Sequence, residues 1–151
     1  MTPKQRPTSK SNPLILEQQV CFALYRASRA MIRAYTPILE SLGLTYPQYL
    51  VLLVLWEKDQ VSVGAIGERL VLDSATLTPL LKRMEKSGLL ARTRDKDDER
   101  VVVIELTKKG HDLRTAALEI PGKIACAFGI DLSDINRVQE ITQLMGLLSR
   151  F

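Results

Sequence analysis

The chain of 151 residues has one histidine and two cysteines, and each scarcity excludes a class of chemistry. The lone histidine, His111, has no ligand partners in sequence and is assigned no role. Cys21 and Cys126 stand 105 positions apart, so there is neither a CxxC pair nor a metal-ligand cluster. Nothing calls for a metal or any other cofactor. In a reducing compartment the two cysteines rest as thiols and not as a structural disulfide. Long apolar runs are also missing: the longest, Leu50 to Trp56, falls far short of the roughly 20 residues that a bilayer requires. Residues 1–13, MTPKQRPTSKSNP, hold three positive charges, three prolines and no apolar run, so they read as a mobile arm and not as a secretory signal. A soluble cytoplasmic protein without a membrane partner is expected. There are no internal repeats.

What is present suits one ordinary domain over residues 14–151, since the chain is 46% hydrophobic and too short for two comfortable domains. The formal net charge of +4 permits an anionic partner without demanding one. After Asn12-Pro13, a cap followed by proline, apolar residues recur at Leu16, Val20, Leu24, Ala27, Met31 and Ile38. This spacing predicts a first helix of about 25 residues, broken or bent near Thr36-Pro37 and stopped at Leu42-Gly43. Thr45-Tyr46-Pro47-Gln48 has the capping-box form and opens a second helix. A short third helix fits Val63 to Leu70, and a fourth runs from Asp73-Ser74 to Ser87-Gly88, burying Leu77, Leu80, Leu81 and Met84. Two extended segments, Leu89 to Thr93 and Val101 to Leu106, flank a charged run and read as a hairpin. One helix then carries Leu113, Ala117, Ile120 and Ile124. A last one carries Leu132 through Leu148, entered through the capping candidates Asp131 and Ser133.

The fold class is therefore mainly α with a small β-wing: a winged helix-turn-helix over 45–106 flanked by amphipathic helices over 14–43 and 107–151. Strongly periodic first and last helices with no sheet nearby are what a two-fold dimer interface needs. Packing of those helices within one chain is the alternative.

On a wheel, the face of the fourth helix opposite its apolar stripe holds Thr76, Thr78, Pro79, Lys82, Arg83 and Lys86, with Ser74 at the helix start. Short hydroxyls near a helix start can bond base edges or phosphates, and basic residues one turn later suit phosphates or guanine. An ordinary solvated face would look similar. The hairpin tip adds weight, because arginine is favoured in the minor groove, and Arg94 and Arg100 are placed for it. The tip also holds Asp95, Asp97, Asp98 and Glu99, for which an ion pair between Asp98 and Arg100 is one explanation. With eight basic and seven acidic residues between Val61 and Arg100, recognition must rest on placement and not on a broad positive field.

The stretch LDSATLTPLLKRMEKSGLL followed by RTRDKDDERVVVIELTKKG resembles the recognition helix and wing of MarR-type regulators, whose spaced aspartates and final arginine match Asp95, Asp98 and Arg100. The resemblance runs over nearly the whole chain after the arm. It implies a homodimeric repressor that binds double-stranded operator DNA with an inverted repeat. The segment LEQQVCFALYRASRAMIRAYTPILESLGLTYPQYLVLLVLWE is similar to the N-terminal portion of one subgroup, the organic hydroperoxide resistance regulators. There the residue matching Cys21 is oxidised by an organic hydroperoxide, and those matching Tyr35 and Tyr46 hydrogen-bond to it. Along a continuous helix Cys21 and Tyr35 would lie ~21 Å apart. The site is therefore expected to combine Cys21 of one subunit with Tyr35 and Tyr46 of the other, as the resemblance also implies.

Some members of the subgroup carry a second cysteine, matched here by Cys126, that resolves the sulfenic acid as an intersubunit disulfide. A small buried apolar residue is the alternative role for Cys126. Phe22, Leu24 and Met31 could line an apolar approach to the thiol or simply fill the core. Trp56 and Tyr49 read as core, and Tyr25 is undecided. Two other functions remain open on sequence: a MarR-type repressor released by a small aromatic ligand, and a thiol peroxidase using Cys21 and Cys126.

Overall fold

Apolar stripes on short helices need a surface to cover them, and this chain supplies one with a small sheet. The computed structural model describes residues 14–129 together with Gln139, Gln143 and Gly146, the last three being helical. The expected arm, the cap at Asn12-Pro13 and the apolar positions of the final helix lie outside the described residues. The chain divides into two units, residues 1–33 and 34–151.

In the first unit a 3-10 turn (Leu16–Gln18) precedes helix α1 (Val20–Glu40), which runs on into the second. The helix thus starts later than the cap at Asn12-Pro13 predicts. Nor is it broken at Thr36-Pro37. Pro37 forfeits the bond to the Arg33 carbonyl and its ring crowds that carbonyl, but both residues are exposed, so the carbonyl can tilt outward to water without ending the helix. Phe22 and Tyr25 stack with ring centroids 6.3 Å apart, and the guanidiniums of Arg26 and Arg29 lie over them at 5.8 and 5.6 Å.

The second unit holds the core. Gly43 ends α1 in the left-handed region at φ +68°, a conformation favouring glycine, and the Leu44 N–H returns to the Leu39 carbonyl at 3.0 Å. Helix α2 (Tyr46–Glu57) begins at the predicted capping box, with the Thr45 N–H donating to Gln48 Oε1 at 2.8 Å. It buries Tyr49, Val51, Leu52, Val54 and Leu55. Helices α3 (Val63–Leu70) and α4 (Ser74–Lys86) follow, and α4 buries the four residues expected of it. The turn between them places Val71 at φ 54°.

Strands β2 (Leu90–Arg94) and β3 (Val102–Leu106) form the hairpin, and the spacing missed a third strand, β1 (Val61–Ser62). All three are antiparallel in the order β1-β3-β2, with Leu90 opposite Leu106, Arg92 opposite Ile104 and Val61 on the other side of Ile104. A two-residue strand carries too little alternation to be read from sequence.

The expected single fifth helix is two, α5 (Lys108–Ala117) and α6 (Ile120–Phe128). Pro121 accounts for the interruption, since its ring would meet the carbonyl of Ala117 in a continuous helix but is tolerated in the first turn of a new one. The start of α5 sits directly on the exit of α4. A Cβ at Gly110 would overlap the Leu89 carbonyl oxygen. Thr107 Oγ1 donates to Gly88 O at 2.6 Å, Lys109 Nζ to Ser87 O at 2.9 Å, and Trp56 Nε1 to Gly110 O at 3.0 Å.

Candidate DNA-reading face and redox residues

The reading face starts at the N-terminus of α4. Asp73 caps it by accepting the Thr76 N–H at 2.7 Å, and that bond, helped by the Thr76 side chain, holds the Asp73 carboxyl below its ordinary value. Ser74, Thr76, Pro79, Lys82, Arg83 and Lys86 are exposed and Thr78 is half-exposed, so the polar face of the wheel is the face turned to solvent. Thr76 spends part of its hydrogen-bonding capacity on the cap. The other residues hold the same arc that the sequence predicts.

Arg94 and Arg100 are exposed at the hairpin end. The expected ion pair between Asp98 and Arg100 is replaced by a backbone bond: the Arg100 N–H donates to Asp98 Oδ1 at 2.9 Å. Asp95 Oδ1 likewise accepts the N–H groups of Asp97 and Asp98 at 2.9 and 3.1 Å. Short carboxylates that bond the backbone two or three residues on are turn formers. This explains why a tip facing an anion would carry acids: Asp95 and Asp98 shape the loop that presents Arg100.

Tyr35 near the end of α1 and Tyr46 at the start of α2 come together, with ring centroids 4.9 Å apart. Tyr49 joins them, 5.9 Å from Tyr35 and 6.3 Å from Trp56. Sequence reasoning had Tyr49 as core only; its spacing of three from Tyr46 put it on the same face of α2. Burial, and next the proximity of Tyr46, raise the Tyr35 phenol above its ordinary value. Burial also raises that of Tyr49. Both stay protonated near neutral pH and can donate a hydrogen bond. Cys21, in the first turn of α1, and Cys126, on α6, are exposed free thiols. Cys126 is therefore not the small buried residue that its apolar surroundings in sequence allowed. Phe22, Leu24 and Met31 are half-buried, and Tyr25 is exposed. His111 Nε2 lies 3.3 Å from Asp59 Oδ2.

Residues 33–116 match the family described as transcriptional regulator SarA/Rot. The chain is 52% identical over 116 residues to the organic hydroperoxide resistance transcriptional regulator of Bacillus subtilis (strain 168), covering 77% of this chain and 79% of that one. It is 50% identical over 127 residues to the HTH-type transcriptional regulator TtmR of Methylorubrum extorquens (strain PA1), covering 84% of this chain but only 65% of that longer relative. Among solved structures it is similar to AbfR of Staphylococcus epidermidis. The reduced, DNA-bound form of that protein superposes with a TM-score of 0.77 at 35% identity, covering 89% of this chain and 92% of the other. AbfR is also known in an overoxidised form bound to DNA and in a disulfide form. With its helix-turn-helix of α3 and α4 and its wing of β2 and β3, the chain belongs to the MarR family of winged-helix transcriptional regulators, in the branch of the SarA/Rot and organic hydroperoxide resistance regulators.

Proposed function

We propose that this regulator is a homodimeric repressor that binds an inverted-repeat operator when Cys21 is reduced and releases it when an organic hydroperoxide oxidises Cys21. The observation that carries the redox part is the meeting of Tyr35 and Tyr46 at 4.9 Å. Two phenols from different helices converge, and burial keeps Tyr35 protonated. Such a pair can donate hydrogen bonds to a thiolate and then to the alkoxide that leaves. Cys21 reaches it from the other subunit, with residues 14–43 and 107–151 forming the dimer and 45–106 the DNA-binding part. The names of the Bacillus subtilis relative and of the AbfR forms support this reading.

The Cys21 thiolate attacks the terminal oxygen of the hydroperoxide. The O–O bond breaks, the alkoxide takes a proton and leaves as the alcohol, and Cys21 becomes a sulfenic acid. The Cys126 thiolate of the other subunit attacks that sulfur; the S–S bond forms and hydroxide leaves as water. A disulfide needs alpha carbons within roughly 7 Å; if the reduced thiols stand farther apart than that, closing it displaces the helices and with them the DNA-binding units. A hundredfold loss of operator affinity needs only about 2.7 kcal/mol of such coupling.

On the DNA side, α4 enters the major groove with Ser74, Thr76, Thr78 and Pro79 toward base edges. Lys82, Arg83 and Lys86 lie toward phosphates, and Asp98 shapes the wing so that Arg94 and Arg100 enter the minor groove. The test is binding to a duplex that the protein itself selects from a random pool, with and without cumene hydroperoxide. Wild type loses the duplex on oxidation, Cys21→Ser binds it and holds it, and Cys126→Ser forms no covalent dimer and holds the duplex at the dose that releases wild type. Release from Cys21→Ser at the wild-type dose would sink the proposal.

A further inference from the structure

Arg92 lies where a strand facing a core is normally apolar. Side chains alternate along a strand, and on β2 Leu90 is buried while Ala91 and Thr93 are exposed. Arg92 shares the inner face with Leu90, opposite the fully buried Ile104 and toward α4, which packs against β2. Its side chain is 23% exposed. Its Nε is buried and has no hydrogen-bond partner among the described residues. The nearest carboxylate, Glu85 on α4, stands 3.8 Å from Nη1, beyond hydrogen-bond distance. A half-buried guanidinium with its Nε buried and unbonded costs stability, and a partner outside the chain would offset that cost.

An open groove of about 360 Å³ runs beside it, lined by Ser62, Gly64, Thr78, Arg92 and Arg100 with three valines. Two arginines, a serine and a threonine line one space, and no carboxylate among the described residues does. A Cβ at Gly64 would meet nothing within 4 Å, so the floor is open on that side. The groove is bounded by α3, α4 and the wing, the same elements whose exposed residues form the reading face.

We propose that this groove seats one phosphodiester of the DNA backbone, held by the Arg92 guanidinium, with the recognition helix on one side and the wing on the other. Because the groove lies between helix and strand, the contact fixes the angle between recognition helix and wing on the duplex. Arg92 carries affinity and no sequence information, in contrast to base-reading residues. On binding, its guanidinium exchanges the distant Glu85 carboxylate for a phosphate oxygen, an anion it can engage with two parallel N–H groups.

The inference rests on the reading of the chain as a DNA-binding protein, and salt dependence separates the two. The reduced full chain is titrated with two unrelated 30-bp duplexes of mixed sequence between 50 and 300 mM KCl. Each phosphate contact contributes about −0.9 to the slope of log K against log salt. Arg92→Gln is expected to bind both duplexes more weakly by the same factor and to flatten the slope by about 0.9 per subunit. Arg92→Lys should keep the slope. Glu85→Gln leaves Arg92 in place, and should bind at least as tightly as wild type.

If Arg92 served only to hold α4 through Glu85, Glu85→Gln would weaken binding as Arg92→Gln does. That outcome overturns the inference, as does an unchanged slope in Arg92→Gln or a loss confined to one duplex. A wild type with no salt-dependent affinity for either duplex would instead overturn the DNA-binding reading.

Discussion

Among single residues, Val71 holds the least comfortable backbone of the helix-turn-helix. It is β-branched, 91% exposed and left-handed at φ 54°, and a non-glycine residue there costs on the order of 1–2 kcal/mol. Val71→Gly gives up little burial and is expected to raise unfolding free energy by about 1 kcal/mol in a urea titration; a destabilised variant would refute the strain. Tyr35 is the corresponding test of chemistry. Tyr35→Phe keeps the ring beside Tyr46 and removes the donor. A hydrogen bond to a charged group is worth about 1.5–3 kcal/mol, so we expect Cys21 oxidation by cumene hydroperoxide to slow by about tenfold or more, with reduced DNA binding unchanged. Trapping of the sulfenic acid reads the rate directly, and an unaltered rate would remove Tyr35 from the site.

Elements raise questions of shape. The wing tip is held by carboxylate-to-backbone bonds, so charge at Asp98 matters less than an acceptor there. Asp98→Asn, which keeps an acceptor oxygen, is expected to bind DNA nearly as wild type does, and Asp98→Ala to bind more weakly. Equal loss in both would restore an ion pair with Arg100 as its role. At the start of α4 the Thr76 N–H holds the Asp73 carboxyl below its ordinary value of 3.8. The sign follows from linkage. A lowered folded value contributes stability that is present above 3.8 and is lost as pH falls through the lower folded value. Acid unfolding of wild type should therefore steepen below pH 3.8. In Asp73→Asn, which caps without titrating, that part of the acid limb should flatten, measured by circular dichroism along an acid titration.

For the whole molecule the decisive measurement is covalent. Peroxide-treated wild type should run as a dimer on a non-reducing gel, and both Cys21→Ser and Cys126→Ser as monomers. A wild type at monomer mass only would remove the intersubunit disulfide, leaving Cys21 oxidation to act through the helices alone.

Local rules determined much of this protein. The capping box at Thr45, the span of α3, the buried stripe of α4 and the hairpin with Arg100 at its tip were legible because caps and periodicity act over a few positions. Tyr35, Tyr46, Cys21 and Cys126 were singled out by the family resemblance and not by local spacing. Other features depended on what lies across space. Strand β1 exists because β3 offers it an edge, and α1 passes Pro37 because the affected carbonyl can be hydrated. Asp98 turned from ion-pair partner to turn former because the hairpin closes on its backbone. Arg92 stands out only once alternation along β2 is seen to point it inward, toward a groove that α3, α4 and the wing make together. Local spacing carries the elements, and it carries no information about which surfaces meet.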